Sequence, residues 1–261
     1  MGWRVVIELS ISVVVPVKDD GELLRRCLGA LAKQTRRPDE IVVVDNGSSD
    51  HSAQVARDAG ARVVFVEGGG IPAASAAGYD AAGFDVIARL DADCLPEPAW
   101  LERVETALVA HPDAVAVTGG AHFIDGPKPL RGMLAAFYLG AYFGTVYLAL
   151  GHMPLFGSNF ALRRDAWVAV SDAVHRGDSF VHDDMDLSLH IGPRRRIRYV
   201  RGLGMGISMR PLFDASGFAT RIRRGFHSLT IHWPHDFPWL RWARRLGRQA
   251  GSVVSSDGSR S

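Results

Sequence analysis

Strand and helix patterns alternate through the first third of the chain, and this alternation restricts the fold more than any other feature. Ile11–Val17 is a short apolar run rich in β-branched residues, and Gly21–Lys33 then places leucines at helical spacing. Further strands are predicted over Glu40–Val44, Ala61–Val66 and Asp85–Leu90, and further helices over Ser52–Ala59 and Pro72–Ala82. Strands separated by such helices form βαβ units, so we predict an α/β fold with a mostly parallel central sheet flanked by helices.

Acidic residues follow three of the predicted strands. Asp20 comes after the first strand, Asp45 after the second, and Asp91 and Asp93 after the fourth. In open α/β sheets the functional loops lie at the carboxyl ends of the strands. We therefore expect these carboxylates to meet at one crevice.

The sequence Asp91-Ala92-Asp93 has the composition of a divalent-cation site. Mg²⁺ and Mn²⁺ bind through one or two carboxylates together with the phosphate oxygens of a substrate. Asp-x-Asp pairs also occur in ordinary surface loops, so the pair alone leaves both interpretations open. Its position directly after a buried strand, with Asp45 upstream, favours the metal.

Several classes of function are disfavoured by what the sequence lacks. Cys27 and Cys94 stand far apart with no CxxC or Cys/His pairing, so neither a disulfide framework nor a cysteine zinc site is expected. No GxGxxG follows the first strand, which argues against a dinucleotide-dependent dehydrogenase. Met1–Ile7 lacks a signal-peptide pattern, and we therefore expect a cytoplasmic chain.

The net charge of +2 conceals a strongly basic C-terminal quarter. Between Ile191 and Arg248 there are 13 arginines and two acids, whereas residues 1–190 hold 16 basic and 25 acidic residues. Aromatic residues are interleaved with these arginines over Phe218–Trp242, as in amphipathic segments that lie on a membrane surface. The same pattern suits stacking on single-stranded nucleic acid, but no nucleic-acid fold signature accompanies it, so we expect no nucleic-acid partner.

A long uncharged segment precedes this basic quarter. Gly132–Leu162 contains 31 residues without Asp, Glu, Lys or Arg, which is long enough to span a membrane. Several glycines, His152 and Pro154 interrupt it. We interpret the segment as a buried or interfacial helix.

Five motifs, in order, resemble those of glycosyltransferase family 2, whose members have the GT-A fold. They are Val14–Val17, Val43–Asp50, Leu90–Asp93, Gly157–Arg164 and His182–Leu189, and the resemblance covers about residues 10–200. It implies a single GT-A domain over residues 1–250. A Rossmann-like nucleotide-sugar half would span about residues 8–120 and an acceptor-binding half residues 121–250, with a disordered tail over 251–261.

The resemblance also implies the reaction. Inverting members of the family transfer a sugar from a nucleoside diphosphate to an acceptor hydroxyl, which would make this chain a hexosyltransferase that depends on Mn²⁺ or Mg²⁺. The donor would be a UDP- or GDP-sugar. The acceptor would be a glycan, a lipid-linked hydroxyl or a small molecule, and the basic aromatic segment favours a lipid-associated or anionic one. Such an enzyme would make peripheral contact with the inner face of the membrane.

The family's site roles transfer to the matching positions. Asp91 and Asp93 match the metal-binding pair, and Asp184 matches the general base. The positions that match donor contacts are Pro16, Val17, Lys18, Asp20, Asp45, Asp91 and Ala92, with Arg221 and Arg224 on a helix that closes over the diphosphate. Those that match the acceptor side are Gly157, Ser158, Asn159 and Asp183.

The chain departs from the family pattern at three places. Ser75 and Ala76 stand where an Arg-Asn pair is common, so a cationic contact to the donor is either missing or supplied elsewhere. Asp183 replaces a glutamate that often precedes the base, and His190 stands where arginine is common. These changes leave the reaction class standing but weaken the assignment of the donor. Two alternatives stay open: a sugar-phosphate nucleotidyltransferase, and a non-catalytic protein that binds a sugar nucleotide or a membrane surface.

Some candidate residues also have ordinary structural explanations. Asp19 and Asp20 could cap the helix that follows them, and Asp50 is expected to cap the next helix. Three C-terminal histidines are candidate extra metal ligands, although isolated histidines are more often ordinary polar or core residues. These histidines are His227, His232 and His235.

Overall fold

The computed structural model describes residues 8–192, 195–210, 215–234 and 236–246. Within these residues lies one eight-stranded sheet with apolar cores on both of its faces. The predicted tail over 251–261 and the candidate ligand His235 fall outside the described residues.

The strands are β1 (Ile11–Val17), β2 (Glu40–Asp45), β3 (Arg62–Phe65), β4 (Val86–Arg89), β5 (Leu95–Pro96), β6 (Ala114–Phe123), β7 (Phe160–Arg163) and β8 (Arg196–Ile207). The helices are α1 (Gly21–Leu31), α2 (Ser52–Asp58), α3 (Gly70–Ala81), α4 (Trp100–Ala110), α5 (Arg131–Leu150), α6 (Arg164–Val168), α7 (Asp183–Ile191) and α8 (Ala215–Thr230). A 3-10 turn over Lys128–Leu130 precedes α5, and residues 238–246 are helical. The four strands and three helices predicted up to Leu90 are confirmed, with bounds that differ by no more than two residues.

The sheet has the order β3-β2-β1-β4-β7-β6-β8-β5. The first four strands in this order are mutually parallel, and Val17 of β1 lies beside Asp45 of β2. β7 runs antiparallel to β4 and β6, whereas β6 and β8 are parallel. The parallel half is the part that the alternating pattern predicts, and it brings the loops after β1, β2 and β4 to one edge of the sheet.

β1 is buried on both faces, as a central strand of a parallel sheet must be. Successive side chains alternate, so Val13 and Val15 join one core cluster, whereas Val14 joins the other. α3 can pack closely on the second face because Gly78 has no side chain: a Cβ there would overlap Val14 and Val44. This contact fixes α3 against the parallel half of the sheet.

α5 is an apolar helix that lies on the surface. Phe137 and Leu148 are 77% and 64% exposed. Its fully buried residues are Ala135, Val146 and Leu150. Within the part of the chain that the structure describes, one helical segment, Lys128–Leu150, is long and apolar enough to cross a membrane, and 17% of its apolar window is buried.

The prediction of one buried or interfacial helix across Gly132–Leu162 is therefore correct only in part. The helix ends at Leu150, because Gly151 adopts a left-handed conformation with φ of 76° and terminates it. Phe160–Arg163, at the end of the uncharged segment and just beyond it, form β7 instead. A buried helix is wrong for most of the length of α5, and a surface position is correct.

Candidate active site

The Asp91-Ala92-Asp93 segment forms a tight turn directly after β4. The backbone N–H of Cys94 donates a 3.0 Å hydrogen bond to the carbonyl of Asp91, which closes the turn. Ala92 is buried, whereas the Asp91 and Asp93 side chains are 35% and 25% exposed. The turn therefore presents two carboxylates at the edge of the sheet, where the sequence places them.

Arg89 is a buried cation at the centre of this edge, and sequence reasoning missed it. Its Nη2 lies 2.9 Å from Oδ1 of Asp91 and 3.5 Å from Oδ2 of Asp183, and its side chain is 3% exposed. Burial alone would lower the pKa of Arg89, but the charges of Asp91 and Asp183 raise it above its ordinary value. Arg89 thus ties the turn after β4 to the first residue of α7. A charged residue at the end of an otherwise apolar strand was the available signal.

The second oxygen of Asp91 is also engaged. Ser158 Oγ donates a 2.6 Å hydrogen bond to Oδ2 of Asp91. Burial raises the pKa of Asp91, and the charge of Arg89 opposes that rise. Ser158, predicted on the acceptor side, therefore lies against the turn after β4.

Asp93 faces a different arginine. Arg210 Nη2 lies 3.0 Å from Oδ2 of Asp93, and Nη1 of the same guanidinium lies 3.8 Å from Oδ1 of Asp20. This arginine, which sequence reasoning also missed, joins the first loop to the turn after β4. The Arg210 side chain is 57% exposed, so it can move when a ligand enters.

The residues of the turn fit a hard divalent cation. Ligand atoms of Asp91, Asp93 and Cys94 lie within 4.8 Å of one another. Burial raises the pKa of the Cys94 thiol well above its usual range, and a neutral thiol is a poor ligand for Mg²⁺ or Mn²⁺. Both oxygens of Asp91 are held, by the buried Arg89 and by Ser158. The oxygens of Asp93 face the exposed Arg210 and, at 3.9 Å, the Cys94 thiol, so Asp93 is the carboxylate that an incoming cation can reach more easily.

Asp184 is held at the N-terminus of α7 by three donors. Its Oδ2 accepts hydrogen bonds from the backbone N–H of Gly157, at 2.8 Å, and from the hydroxyl of Tyr142, at 2.9 Å. Its Oδ1 accepts a 2.8 Å hydrogen bond from the backbone N–H of Met185. Burial raises the pKa of Asp184, and the charge of Asp183 adds to the rise. A fixed carboxylate with a raised pKa is suited to accept a proton.

Gly157 is required where the backbone passes between Arg89 and Asp184. A Cβ at this position would lie 2.8 Å from Nη1 of Arg89 and 3.0 Å from Oδ2 of Asp184. Its neighbour Asn159 has a different role from the one predicted. The Asn159 side chain is fully buried, accepts a hydrogen bond from Trp100 Nε1 at 2.8 Å and donates to two backbone carbonyls. Asn159 therefore anchors the Gly157–Ser158 loop in the core instead of facing an acceptor.

Asp183 is oriented by Ser75, one of the residues that depart from the family pattern. Ser75 Oγ donates a 2.7 Å hydrogen bond to Oδ2 of Asp183, the same oxygen that faces Arg89. Ala76, on the buried face of α3, packs in the core. Ser75 therefore lies beside a cation, Arg89 of β4, which faces the same carboxylate oxygen of Asp183.

Asp50 caps the two helices that border the first loop. Its Oδ2 accepts from the backbone N–H of Gly21, at 2.9 Å, and its Oδ1 from that of Ser52, at 2.9 Å. Asp20 occupies the N-cap position of α1 but makes no side-chain cap there, and Asp19 accepts hydrogen bonds from Ser49 instead. The prediction that Asp19 or Asp20 caps α1 is therefore wrong.

The remaining donor candidates from the first two loops lie at the predicted edge. Asp45 ends β2, is buried, and accepts a 2.8 Å hydrogen bond from the backbone N–H of Ser48. Pro16 and Val17 end β1 next to it, and Lys18 is exposed.

The two predicted arginines of α8 lie beside the loop that leads into α7. Arg224 Nη2 donates a 2.8 Å hydrogen bond to the carbonyl of Val181, and His182 Nε2 lies 3.1 Å from the carbonyl of Arg221. Arg224 is therefore engaged in holding the chain before Asp183.

The described histidines do not join the turn after β4. No histidine among the described residues is part of the ligand-atom group around Asp91. His227 Nε2 lies 2.6 Å from Oδ2 of Asp178, and His232 Nε2 lies 3.1 Å from Oδ1 of Asp186. The idea that His227 or His232 completes the predicted metal site is therefore wrong.

Comparisons with known proteins bear on the family and the fold of this chain. The model of Glycosyl transferase family 2 matches residues 12–169. Glycosyltransferase AglE of Haloferax volcanii is 35% identical over 101 residues, which cover 36% of this chain and 33% of the relative. An undecaprenyl-phosphate 4-deoxy-4-formamido-L-arabinose transferase of Pseudomonas fluorescens is 38% identical over 118 residues, covering 41% of this chain and 34% of the relative.

These curated relatives are matched over only part of their length. The alignments of the first relatives cover between 20% and 39% of those proteins. A solved structure of glucosyl-3-phosphoglycerate synthase from Mycobacterium tuberculosis, in complex with Mn²⁺, UDP and glucosyl-3-phosphoglycerate, superposes with a TM-score of 0.56 at 22% identity. The superposition covers 83% of this chain and 80% of that one, and it confirms the predicted GT-A fold.

Proposed function

The chain belongs to glycosyltransferase family 2, and from that membership we propose that it transfers a sugar from a nucleoside diphosphate to an acceptor hydroxyl with inversion of configuration. One observation carries the proposal: Arg89 joins Asp91 of the turn after β4 to Asp183, which directly precedes the candidate base Asp184. The candidate donor and acceptor groups thus form one connected site.

The donor diphosphate would lie over the turn after β4. Asp93, with Asp91 beside it, would hold Mn²⁺ or Mg²⁺, and a bound cation offsets the negative charge of the departing nucleoside diphosphate. Arg210, which pairs with Asp93, would supply a second positive charge beside the diphosphate. The residues proposed to border the nucleotide are Pro16, Val17, Lys18, Asp20, Asp45 and Ala92.

Asp184 is the proposed general base. The N–H of Gly157 and the hydroxyl of Tyr142 hold one of its oxygens in place. The acceptor hydroxyl gives its proton to the carboxylate while its oxygen attacks the anomeric carbon from the face opposite the phosphate. That direction of attack inverts the configuration. Arg89 and Ser75 hold Asp183 beside it.

A lipid-linked acceptor at the inner face of the membrane is the acceptor class that the surface supports best. α5 exposes Phe137 and Leu148, and α8 exposes Ile222 and Phe226 beside its arginines. Exposed apolar residues with basic neighbours are typical of segments that rest on anionic lipid. The Pseudomonas fluorescens relative is named for an undecaprenyl-phosphate acceptor, which supports the same class.

A donor panel tests the proposed reaction. UDP- and GDP-sugars are incubated with the chain, Mn²⁺ and a polyprenyl-phosphate or glycan acceptor, and nucleoside diphosphate and pyrophosphate are measured separately. The proposal expects nucleoside diphosphate from at least one donor, and loss of that release in Asp93→Ala. A second incubation supplies nucleoside triphosphates and sugar 1-phosphates in place of the nucleotide sugars, and pyrophosphate release there would identify a nucleotidyltransferase instead. Donor binding without turnover of any donor would identify a non-catalytic binding protein.

A further inference from the structure

Three histidines surround a single buried carboxylate away from the proposed active-site turn. Oδ1 of Asp186 lies 2.8 Å from Nδ1 of His175, 3.1 Å from Nε2 of His232 and 3.5 Å from Nε2 of His190. The Asp186 side chain is 3% exposed. The four ligand atoms all lie within 4.8 Å of one another.

Three separate segments of the chain supply these side chains. Asp186 and His190 are four residues apart on α7, so they lie on the same face of the helix. His175 lies between α6 and α7, and His232 follows α8. The cluster therefore joins the helix that begins with Asp183 and Asp184 to two segments that are distant in sequence.

Hydrogen bonding among these groups leaves one nitrogen unused. The backbone N–H of His175 donates a 2.7 Å hydrogen bond to Oδ2 of Asp186, which leaves Oδ1 for all three rings. One carboxylate oxygen has two lone pairs, and the two nearer nitrogens account for them. Nε2 of His190 is buried and has no hydrogen-bond partner among the described residues. A buried polar atom without a partner is costly, unless a further ligand satisfies it.

The separations of the three imidazole nitrogens from Oδ1 of Asp186 suit a tetrahedral metal ion. Ligands about 2.0–2.1 Å from a tetrahedral zinc lie about 3.3–3.4 Å from one another. The three separations from Oδ1 of Asp186 range from 2.8 to 3.5 Å, around that value. Three imidazole nitrogens and one carboxylate favour Zn²⁺ over Mg²⁺ or Mn²⁺, which prefer oxygen ligands. The His175 side chain is 37% exposed, which gives an ion access from solvent.

We propose that His175, Asp186, His190 and His232 form a zinc site that is separate from the cation site at Asp93. Protein side chains would fill all four coordination positions of the ion, as in structural zinc sites. The backbone N–H of His175 orients the carboxylate from behind, as supporting groups do in such sites. The bound ion fixes α7, and with it Asp184, against the segment that follows α8.

The test measures zinc directly and does not depend on activity. The full chain is freed of metal with a chelator and titrated with ZnCl₂ and, separately, with CoCl₂. The site predicts one tightly bound Zn²⁺ per chain by elemental analysis, and for Co²⁺ the intense visible absorption of a tetrahedral complex. A wild-type chain that is folded but takes up no Zn²⁺ at micromolar concentration overturns the proposal.

Two variants locate the bound ion. His190→Arg replaces one ligand by a cation that can pair with Asp186, so the helix is expected to fold, and His232→Ala removes a ligand from another segment. Each should weaken Zn²⁺ binding by more than about 100-fold, beyond the 10–100-fold that a supporting group contributes. Circular dichroism establishes that both variants are folded.

The matched controls are His227→Ala, another histidine paired with an aspartate, and Asp93→Ala in the proposed active site. Both should retain Zn²⁺ at the wild-type affinity. If His190→Arg and His232→Ala bind Zn²⁺ as tightly as these controls do, the ion lies elsewhere and the proposal is wrong.

Discussion

Nη2 of Arg89 lies 2.9 Å from Oδ1 of Asp91, inside a buried ion pair that also reaches Asp183. The pair lies between the turn that would bind the donor diphosphate and the helix that carries the proposed base. The guanidinium of Arg89 is removed from water, whereas Asp91 is 35% exposed, so Arg89 depends on its carboxylate partners for stabilisation more than Asp91 depends on Arg89. The same contact therefore has consequences for both stability and activity.

Replacement of Arg89 should destabilise the fold. Arg89→Met leaves Asp91 and Asp183 without their cation. Breaking a fully buried pair costs about 3–5 kcal/mol, and because Asp91 is 35% exposed the loss should lie at or below the lower end of that range. Urea unfolding of the purified chain measures the loss. Arg62→Met is the matched control, because Arg62 pairs with Glu40 at the surface and is 48% exposed, so its loss should cost about 1 kcal/mol or less. Equal losses in the two variants would show that the Arg89 pair is no more important than a surface contact.

A methyl group at position 157 should impair turnover. In Gly157→Ala the new Cβ would lie 2.8 Å from Arg89 and 3.0 Å from Asp184, so one of these side chains must shift. A displacement of about 1 Å at a reacting group can lower the rate by about 100-fold. Release of nucleoside diphosphate measures the effect.

The control for Gly157→Ala is Gly29→Ala in α1, where a Cβ would meet no atom within 4 Å. This substitution should leave the rate unchanged and raise stability by about 0.5–1 kcal/mol, because alanine favours helix over glycine. Undiminished turnover in Gly157→Ala would contradict the geometry proposed for Asp184.

The pH dependence of the reaction should report the environment of Asp184. Burial raises the pKa of this carboxyl above its ordinary value of 3.8, so the acid limb of kcat/KM should lie above pH 3.8. Because the folded chain holds this proton more tightly than the unfolded chain, the contribution of Asp184 to stability is present below about pH 3.8 and is lost as the pH rises through the folded pKa.

Tyr142→Phe should move that limb to higher pH. The Tyr142 hydroxyl donates to the ionised carboxylate and so favours the charged form. A hydrogen bond to a charged group is worth about 1.5–3 kcal/mol, which corresponds to a shift of about one to two pH units. Tyr138→Phe on the same helix removes a hydroxyl without touching this hydrogen bond and should leave the limb in place. A limb that shifts equally in both variants, or in neither, would argue against Asp184 as the titrating base.

Removing exposed apolar side chains from α5 should weaken membrane binding. Phe137→Asp and Leu148→Asp place charges on the surface proposed to contact lipid, and both positions are too exposed for the fold to depend on them. Co-sedimentation with vesicles that contain phosphatidylglycerol should fall in both variants. Phe65→Asp makes the same change at another exposed phenylalanine, on β3, and should bind like the wild type. If the α5 variants bind vesicles as the wild type does, the exposed face of α5 is not the surface that contacts the membrane.

The parallel half of the sheet and the placement of Asp91 and Asp93 could be predicted because they depend on local patterns. Apolar periodicity defines the strands, and their carboxyl ends define the edge. The partners of these acids could not be predicted in the same way. Tyr142 meets Asp184 across 42 residues. Arg89 stands out as the charged residue of an apolar strand, but its partner Asp183 lies on a distant helix that the local pattern does not identify.

The exposure of α5 and the burial of Asn159 also lay beyond the sequence. An uncharged helix has the same composition whether it packs inside a protein or covers its surface, and only the position of its neighbours decides which. Asn159 belongs to a motif associated with the acceptor, yet its amide is used to connect Trp100 with two backbone carbonyls in the core. In both cases the tertiary packing decides the role.

The role of Asp184 as the general base of sugar transfer is tested by the turnover of Asp184→Asn. The measurement is the rate of nucleoside diphosphate release with Mn²⁺, the reactive donor and its acceptor, beside Asp58→Asn on the exposed face of α2 as the matched control. If Asp184 is the base, kcat should fall by about 10²–10⁴-fold in Asp184→Asn while donor binding is retained. In Asp58→Asn, kcat should stay at the wild-type value. A folded Asp184→Asn chain that turns over at the wild-type rate would contradict that role for Asp184.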